Sequence, residues 1–164
     1  MPDAIDKKLI HEAIVSALKK LVENAQKAML LAYEAATHEE NIAENKYDTL
    51  GLEAAYLTQG QARRLAECEA DLAAFQNLVP KTFSTGDAIA IGALVHIEDE
   101  SGHEQYLLLG PAAGGLKIAA GGRDILVVTP SAPLGQALLH AGVGDTVTVH
   151  LASTQKHYEI LAVS

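Results

Sequence analysis

Three glutamates fall close together in one short acidic stretch, residues 38–47, which reads His-Glu-Glu-Asn-Ile-Ala-Glu-Asn-Lys-Tyr. They are Glu39, Glu40 and Glu44, and two of them are four residues apart, a spacing that shares one face of a helix. Magnesium is held by one or two carboxylates whose ligand set is completed by water or phosphate. The acidic stretch therefore predicts a weak magnesium site that needs ligands from a partner. The alternative interpretation is a solvated acidic loop.

Other reactive residue types form weaker patterns. Glycines precede Lys117 in the segment 110–117, as in phosphate-binding loops, but no Ser or Thr follows the lysine and a strand comes next. None of the seven histidines is paired with Cys or His at zinc-ligand spacing. Cys68 is the single cysteine and has no evident base beside it. We expect no cofactor bound by the chain itself, no structural metal and no nucleophilic enzyme.

Helix-forming sequence lies before the acidic stretch. Residues from Asp6 to about Thr37 contain neither Pro nor Gly and are dominated by strong helix formers. Asn24 interrupts the apolar repeat and either fixes the register of a helix pair or is simply solvated. A second apolar line follows residues 18, 22, 25, 29 and 32. The predicted heptad seam consists of Ile10, Ile14, Ala17, Leu21, Asn24, Ala28, Leu31 and Ala35.

Helix-forming sequence resumes after the acidic stretch, from Asp48 to Phe75. Two consecutive steps of four, at residues 57, 61 and 65, predict a stutter in the repeat. Gly60 beside them either serves packing or bending or is merely tolerated. Two helices joined by a brief polar break predict an antiparallel coiled-coil hairpin, residues 1–78, with an acidic tip at 38–47. Its predicted seam is Leu50, Ala54, Leu57, Gln61, Leu65, Cys68, Leu72 and Phe75.

The second half of the chain has strand periodicity. Pro80 disfavours helix at the residue before it and indicates a boundary at about 78–82. We expect an α+β domain at 82–164, in which an antiparallel sheet packs against one short helix, Pro133 to His140. A hairpin turn is predicted at residues 99–102. The predicted strands are 88–97, 105–109, 116–119, 124–128, 146–151 and 157–163.

Charge and composition limit the partners. The 164 residues carry 21 acidic and 12 basic side chains, a formal charge of -9 at pH 7. This balance disfavours free nucleic acid and anionic membrane surfaces as partners. We expect no signal peptide at the N-terminus and no apolar run of membrane-spanning length. We expect a cytoplasmic protein in which Cys68 is reduced. Net charge and the width of the apolar seam are compatible with the predicted monomer, but Ala-rich faces can also pair between chains.

Several segments together resemble the GreA/GreB family of bacterial transcription elongation factors, along nearly the whole chain. The tip of that family reads approximately His-Gly-Asp-Leu-Ser-Glu-Asn-x-Glu-Tyr, which is similar to residues 38–47. Its later pattern Ser-Pro-(Ile/Leu)-Ala-x-Ala-Leu, then Val-Gly-Asp, resembles residues 132–138 and 143–145. The closing residues 158–161, Tyr-Glu-Ile-Leu, match as well.

The resemblance implies a mechanism. An FKBP-like sheet domain would dock at the rim of the secondary channel of bacterial RNA polymerase, and the hairpin would enter that channel. Tip carboxylates, Glu40 and Glu44 here, would help to hold a second magnesium ion in the polymerase active centre, where water cleaves backtracked RNA. The factor lends ligands and is no complete enzyme. The candidate residues are Glu40, Asn41, Glu44, Asn45 and Tyr47 at the tip, and Ser131, Ala132, Pro133 and Leu134 for docking.

The tip departs from the family pattern. With no gap in 38–47, the family Asp aligns with Glu40 and its Glu with Ala43. With the alignment anchored on Glu44, the Glu is kept and the Asp aligns with Asn41. The acid pair at spacing three is lost either way, and a pair at spacing four replaces it. Because magnesium demands tight octahedral geometry, this change argues against strong stimulation of transcript cleavage.

The docking pattern departs too. The family commonly has Asp-Ser-Pro where this chain has Ser131-Ala132-Pro133, and the glycine-rich loop 110–122 replaces a more acidic segment. These changes indicate a divergent paralogue. They leave a second hypothesis open, a non-catalytic interaction module on the same scaffold. A prolyl isomerase is disfavoured because only Tyr106 and Tyr158 are aromatic beyond residue 86.

Overall fold

The computed structural model describes residues 5–42 and 49–164. The chain divides into two compact units, residues 1–15 with 74–164 and residues 16–73. Within the described ranges, no helix is both long and apolar enough to cross a bilayer.

Two long helices account for the first half of the chain, α1 (Lys7–Ile42) and α2 (Thr49–Gln76). The carboxylate of Asp6 caps α1, since its Oδ1 accepts hydrogen bonds from the backbone N–H groups of Lys8 and Leu9 at 3.0 and 3.3 Å. The link between the helices reaches at most ~25 Å. This is shorter than the ~42 Å length of α2. Within one compact unit the helices are therefore antiparallel, as predicted for a hairpin.

The buried line along α1 differs from the predicted seam. Leu31 is 67% exposed and Ala35 is also exposed, so the predicted seam was wrong at these two positions, and Asn24 is exposed, as the second of its two interpretations expected. The buried positions begin with two spacings of four residues, from 10 to 14 and from 14 to 18. An α-helix has 3.6 residues per turn, so its buried positions need not alternate between spacings of three and four residues. Asn24 is therefore solvated. The buried side chains of α1 are Ile10, Ile14, Leu18, Ala25, Ala32 and Ala36.

Helix α2 follows its predicted line from residue 61 onward, where 61, 65, 68 and 72 are partly buried and Phe75 is fully buried. Leu57 is 54% exposed and Thr58 takes the inner position, so the steps alternate three and four and the predicted stutter is absent from this part of the helix. An added Cβ at Gly60 would meet no described atom within 4 Å outside its own helix backbone. Among the described residues no packing requirement for this glycine exists.

The second half of the chain forms one six-stranded sheet with strand order β3-β4-β2-β1-β6-β5. Four neighbouring pairs are antiparallel, but β2 and β4 run parallel, so the all-antiparallel expectation was wrong for this pair. After β2 the chain forms β3 at the edge of the sheet. It then makes a tight turn at Gly121 and Gly122, whose φ angles are 61 and 74°, and continues as β4, which lies between β3 and β2. The elements are β1 (Leu94–Asp99), β2 (Glu104–Leu109), β3 (Lys117–Ala120), β4 (Arg123–Val128), α3 (Pro133–Leu138), β5 (Thr146–Leu151) and β6 (Thr154–Val163).

Two predicted boundaries were too wide. The first strand begins at Leu94 rather than at residue 88, because Gly92 has φ 97° and turns the chain. Before that turn, Ile89 exchanges backbone hydrogen bonds with His140 and Ala141, at 2.9 and 2.8 Å. Helix α3 ends at residue 138, two residues early, since His140 has φ 71° and cannot continue a right-handed helix.

Both faces of the central strands are covered. One face packs with α3 around a core that includes Leu107, Leu109 and Leu138. The opposite face carries Leu94 and Leu108. Phe75 and the first turns of α1 lie against this second face. Strand alternation therefore separates two apolar layers, where the sequence indicated one helix against one face.

Candidate functional site

The acidic tip is described only in part. The backbone of residues 38–42 continues α1, so Glu40 and Asn41 lie in its last turns rather than in a polar break. The side chains of these two residues are not described. Glu44, Asn45 and Tyr47 lie outside the described residues. The metal-assisting role of the tip stays a prediction.

The segment predicted for docking, residues 131–134, surrounds the start of α3. Ala132 occupies the N-cap position with extended backbone, φ -83° and ψ 150°, and makes no side-chain cap hydrogen bond. Pro133 follows at the first turn, where its lack of an N–H costs nothing. The hydroxyls of Thr129 and Ser131 are 2.8 Å apart. Ser131 and Pro133 are exposed, whereas Leu134 is partly buried against the core.

Gly135 is a residue that sequence reasoning did not single out. A Cβ at this position would lie 1.9 Å from the carbonyl oxygen of Thr129, so helix α3 rests directly on that backbone. The GreA/GreB pattern that residues 132–138 resemble has alanine at the position of Gly135. The available sequence signal was a glycine inside a predicted helix, which often marks a close backbone approach. Gly135 therefore sets how closely α3 packs on the end of β4.

The glycine-rich loop 110–122 uses its amides internally. The N–H groups of Gly110 and Gly115 donate to the carbonyls of Val128 and Val127, both at 2.8 Å. An added Cβ at Gly110 would lie 2.7 Å from the Phe75 ring. These two glycines therefore serve packing and strand pairing, and their amides are not free to cradle phosphate.

The two aromatic residues considered for a prolyl-isomerase pocket lie on opposite faces of the sheet. Tyr158 is 8% exposed and belongs to the core cluster beside α3. Tyr106 points to the other face, where it stacks on His96. These two described residues therefore do not line one common pocket.

A family profile described as "Transcription elongation factor, GreA/GreB, C-term" matches residues 84–164. A transcription elongation factor GreA of Desulfovibrio desulfuricans is 32% identical over 157 residues, which cover 94% of this chain and 89% of that relative. The chain belongs to the GreA/GreB family. A GreA of Chelativorans sp. is 28% identical over 155 residues, with coverage of 93% and 92%. The GreA/GreB resemblance inferred from the sequence is thereby confirmed.

Solved structures of GreA/GreB relatives also match. The GreA factor homolog 1 (Gfh1) of Thermus thermophilus has a TM-score of 0.38 and 17% identity, covering 92% of this chain and 94% of that one. The factor GreA/GreB from Nitrosomonas europaea has a TM-score of 0.35 and 19% identity, covering 79% and 92%. These values are low, and family membership rests on the sequence relatives.

Proposed function

We propose that this chain binds bacterial RNA polymerase at the secondary channel and modulates transcript elongation as an accessory factor. The observation that carries the proposal is the 32% identity to a GreA across 89% of that relative, which includes both the hairpin and the sheet domain. The reaction itself would belong to the polymerase. The factor would contribute binding and charge.

The surface proposed for docking is the start of α3. Ser131 and Pro133 are exposed there and present a neutral edge where the family pattern has an acidic residue and a serine. Leu134 packs partly against the core, so its role is to hold this edge in place. An interface that lacks one carboxylate would have weaker electrostatic steering toward a basic surface.

The proposed effect on transcript cleavage is weaker than that of a GreA with the usual acid pair. Glu40 and Glu44 have the oxygen donors that magnesium accepts, and two carboxylates leave the rest of an octahedral shell to water and to the polymerase. Their spacing of four differs from the family spacing of three. A change in donor position lowers the rate steeply when catalysis depends on alignment.

Binding to core RNA polymerase tests docking. We would measure affinity for the purified core enzyme, in competition with a standard GreA, for the wild type and two variants that each gain one positive charge. Pro133→Lys lies at the proposed edge, and the control Gln155→Lys lies on exposed β6. Because a positive charge would oppose the basic surface proposed for the polymerase, we expect at least about tenfold weaker binding for Pro133→Lys and no change for the control. Equal affinities in all three proteins would exclude this docking surface.

Transcript cleavage in stalled elongation complexes tests the tip. We expect stimulation clearly below that of a standard GreA, and a further loss to background in the double variant Glu40→Gln/Glu44→Gln, with polymerase affinity retained. Stimulation equal to GreA would contradict the proposed weakness. Full activity in the double variant would exclude both carboxylates as ligands.

The interaction-module hypothesis has a distinct outcome. If this chain does not bind the polymerase, and if neither this chain nor a standard GreA displaces the other when it is present in excess, a different protein partner is favoured. The amides of Gly110 and Gly115 in the 110–122 loop are used in strand pairing and do not favour the interaction-module hypothesis, so the polymerase remains the proposed partner.

A further inference from the structure

Three side chains from neighbouring strands form a stack on the sheet face that lies beside the first turns of α1. The rings of His96 on β1 and Tyr106 on β2 are parallel within 7°, with centroids 4.2 Å apart. The guanidinium carbon of Arg123, at the start of β4, lies 4.7 Å from the centroid of the Tyr106 ring. Since β2 lies between β1 and β4, the histidine and the arginine flank the tyrosine from two sides.

One nitrogen of this stack lacks a hydrogen-bond partner among the described residues. It is the buried Nε2 atom of His96. Its nearest carboxylate, that of Glu104, is 3.7 Å away, too long for a hydrogen bond. Arg123 is only partly buried, and within the described part of the chain its guanidinium packs on the Tyr106 ring without a hydrogen bond or an ion pair. Unmade hydrogen bonds of buried polar groups are costly and call for a ligand or water.

A cavity of ≈ 230 Å³ lies beside these groups, bordered by His96, Tyr106 and Arg123. Its remaining wall is mostly apolar and includes Ile5 and Leu94. A second cavity of ≈ 140 Å³ shares Tyr106 and Arg123 and continues toward Leu9 and Ile10 at the start of α1. An apolar pocket with a few convergent polar groups is the usual form of a small-molecule site.

We propose that this cavity binds a small monocarboxylate with an apolar body. The guanidinium of Arg123 would receive the carboxylate in a bidentate pair, and Tyr106 holds that guanidinium by stacking. The apolar wall would receive the rest of the molecule. A phosphate fits less well, because the stack offers one permanent cation, Glu104 lies near it and the chain carries a charge of -9. This site does not depend on polymerase binding.

Nuclear magnetic resonance titration of the full chain with benzoate tests the proposal. We expect shifts at the backbone amides around His96 and Tyr106. Benzamide has the ring without the charge, and acetate has the charge without the ring. Both should bind at least about tenfold more weakly than benzoate. Absence of shifts at these strands, or equal binding of benzamide, would overturn the proposal.

Two variants test which positive charge binds the carboxylate of benzoate. Arg123→Gln should weaken benzoate binding by about tenfold or more, whereas Lys117→Gln, on the same β-hairpin and exposed, should stay within about twofold. Equal loss in both variants would show a general charge effect and overturn the site. The comparison of benzoate, benzamide and acetate binding to the wild type tests the proposal even if Arg123→Gln does not fold.

Discussion

The ammonium of Lys7 donates a hydrogen bond to the carbonyl oxygen of Ser164 at 2.9 Å, joining the first turn of α1 to the residue that follows β6. The same ammonium donates to the carbonyl of Gly92 and lies 5.3 Å from the centroid of the Phe83 ring. Burial lowers the pKa of Lys7 from 10.5 to about 8. One lysine therefore links α1 to the sheet and titrates within an accessible pH range.

Stability should rise with pH because of Lys7. Its pKa in the folded chain, about 8, is below its ordinary value of 10.5. Between these values the folded chain has lost a proton that the unfolded chain still holds, so the free energy of unfolding increases as pH rises. We expect the Lys7→Met variant to lack this increase. Urea unfolding at several pH values from 7 to about 10.5 measures the difference.

The neighbouring lysine provides the control for this experiment. Lys8 is exposed in the same turn, and Lys8→Met should retain the pH dependence of the wild type. Parallel stability curves for the wild type and Lys7→Met across the window would contradict the assigned pKa.

Substitution of Gly135 by alanine should destabilise the sheet unit by about 3 kcal/mol, because the new Cβ would lie 1.9 Å from the Thr129 carbonyl oxygen and force α3 to move. The matched change, Gly60→Ala in α2, meets open space and should stabilise the chain by about 1 kcal/mol. Chemical denaturation of both variants measures the contrast. Similar effects of the two substitutions would disprove the close contact under α3.

A hydroxyl at position 132 should stabilise the start of α3. Ala132 has the extended backbone of an N-cap residue without a capping side chain. In Ala132→Ser the new oxygen would accept a hydrogen bond from an early backbone N–H of the helix, with an expected gain of about 1 kcal/mol in the free energy of unfolding. Ala132→Val, which has no acceptor, is the control. A gain of the same size in the valine variant would show that capping is not the cause.

The carboxylate of Asp99 organises the turn between β1 and β2. Hydrogen bonds from the backbone N–H of His103 and then from the Ser101 hydroxyl hold the pKa of Asp99 below its ordinary value of 3.8. The stabilisation is therefore present above pH 3.8 and is lost as pH falls through the lower folded pKa. Asp99→Asn should reduce stability at neutral pH, and the difference from wild type should shrink in acid.

The adjacent residue gives a matched comparison for Asp99. Glu100→Gln removes one charge from the same turn, where the Glu100 carboxylate contacts His157 at 3.6 Å but does not bond the turn backbone. Its effect on stability should not follow the Asp99 profile. Carboxyl resonances titrated by nuclear magnetic resonance would show directly whether the Asp99 midpoint lies below 3.8.

The sequence alone determined the features that depend on local rules. The run of strong helix formers from Asp6, without Pro or Gly, predicted α1, and Pro133 predicted the start of α3. The family followed from motifs in the right order, since short ordered patterns survive where overall identity is low. The separate glutamates of the acidic stretch were also visible, although their role in polymerase binding stays a proposal.

Only the tertiary structure decided which candidate positions pack inward and which side chains meet. Leu18 rather than Ala17 is buried in α1, because neighbouring positions on a helix compete for one interface and only the partner surface chooses between them. The parallel pairing of β2 with β4 depends on where the chain inserts a later strand. That pairing brings Arg123 beside Tyr106, from residues 17 positions apart, and local sequence patterns contain no information about such contacts.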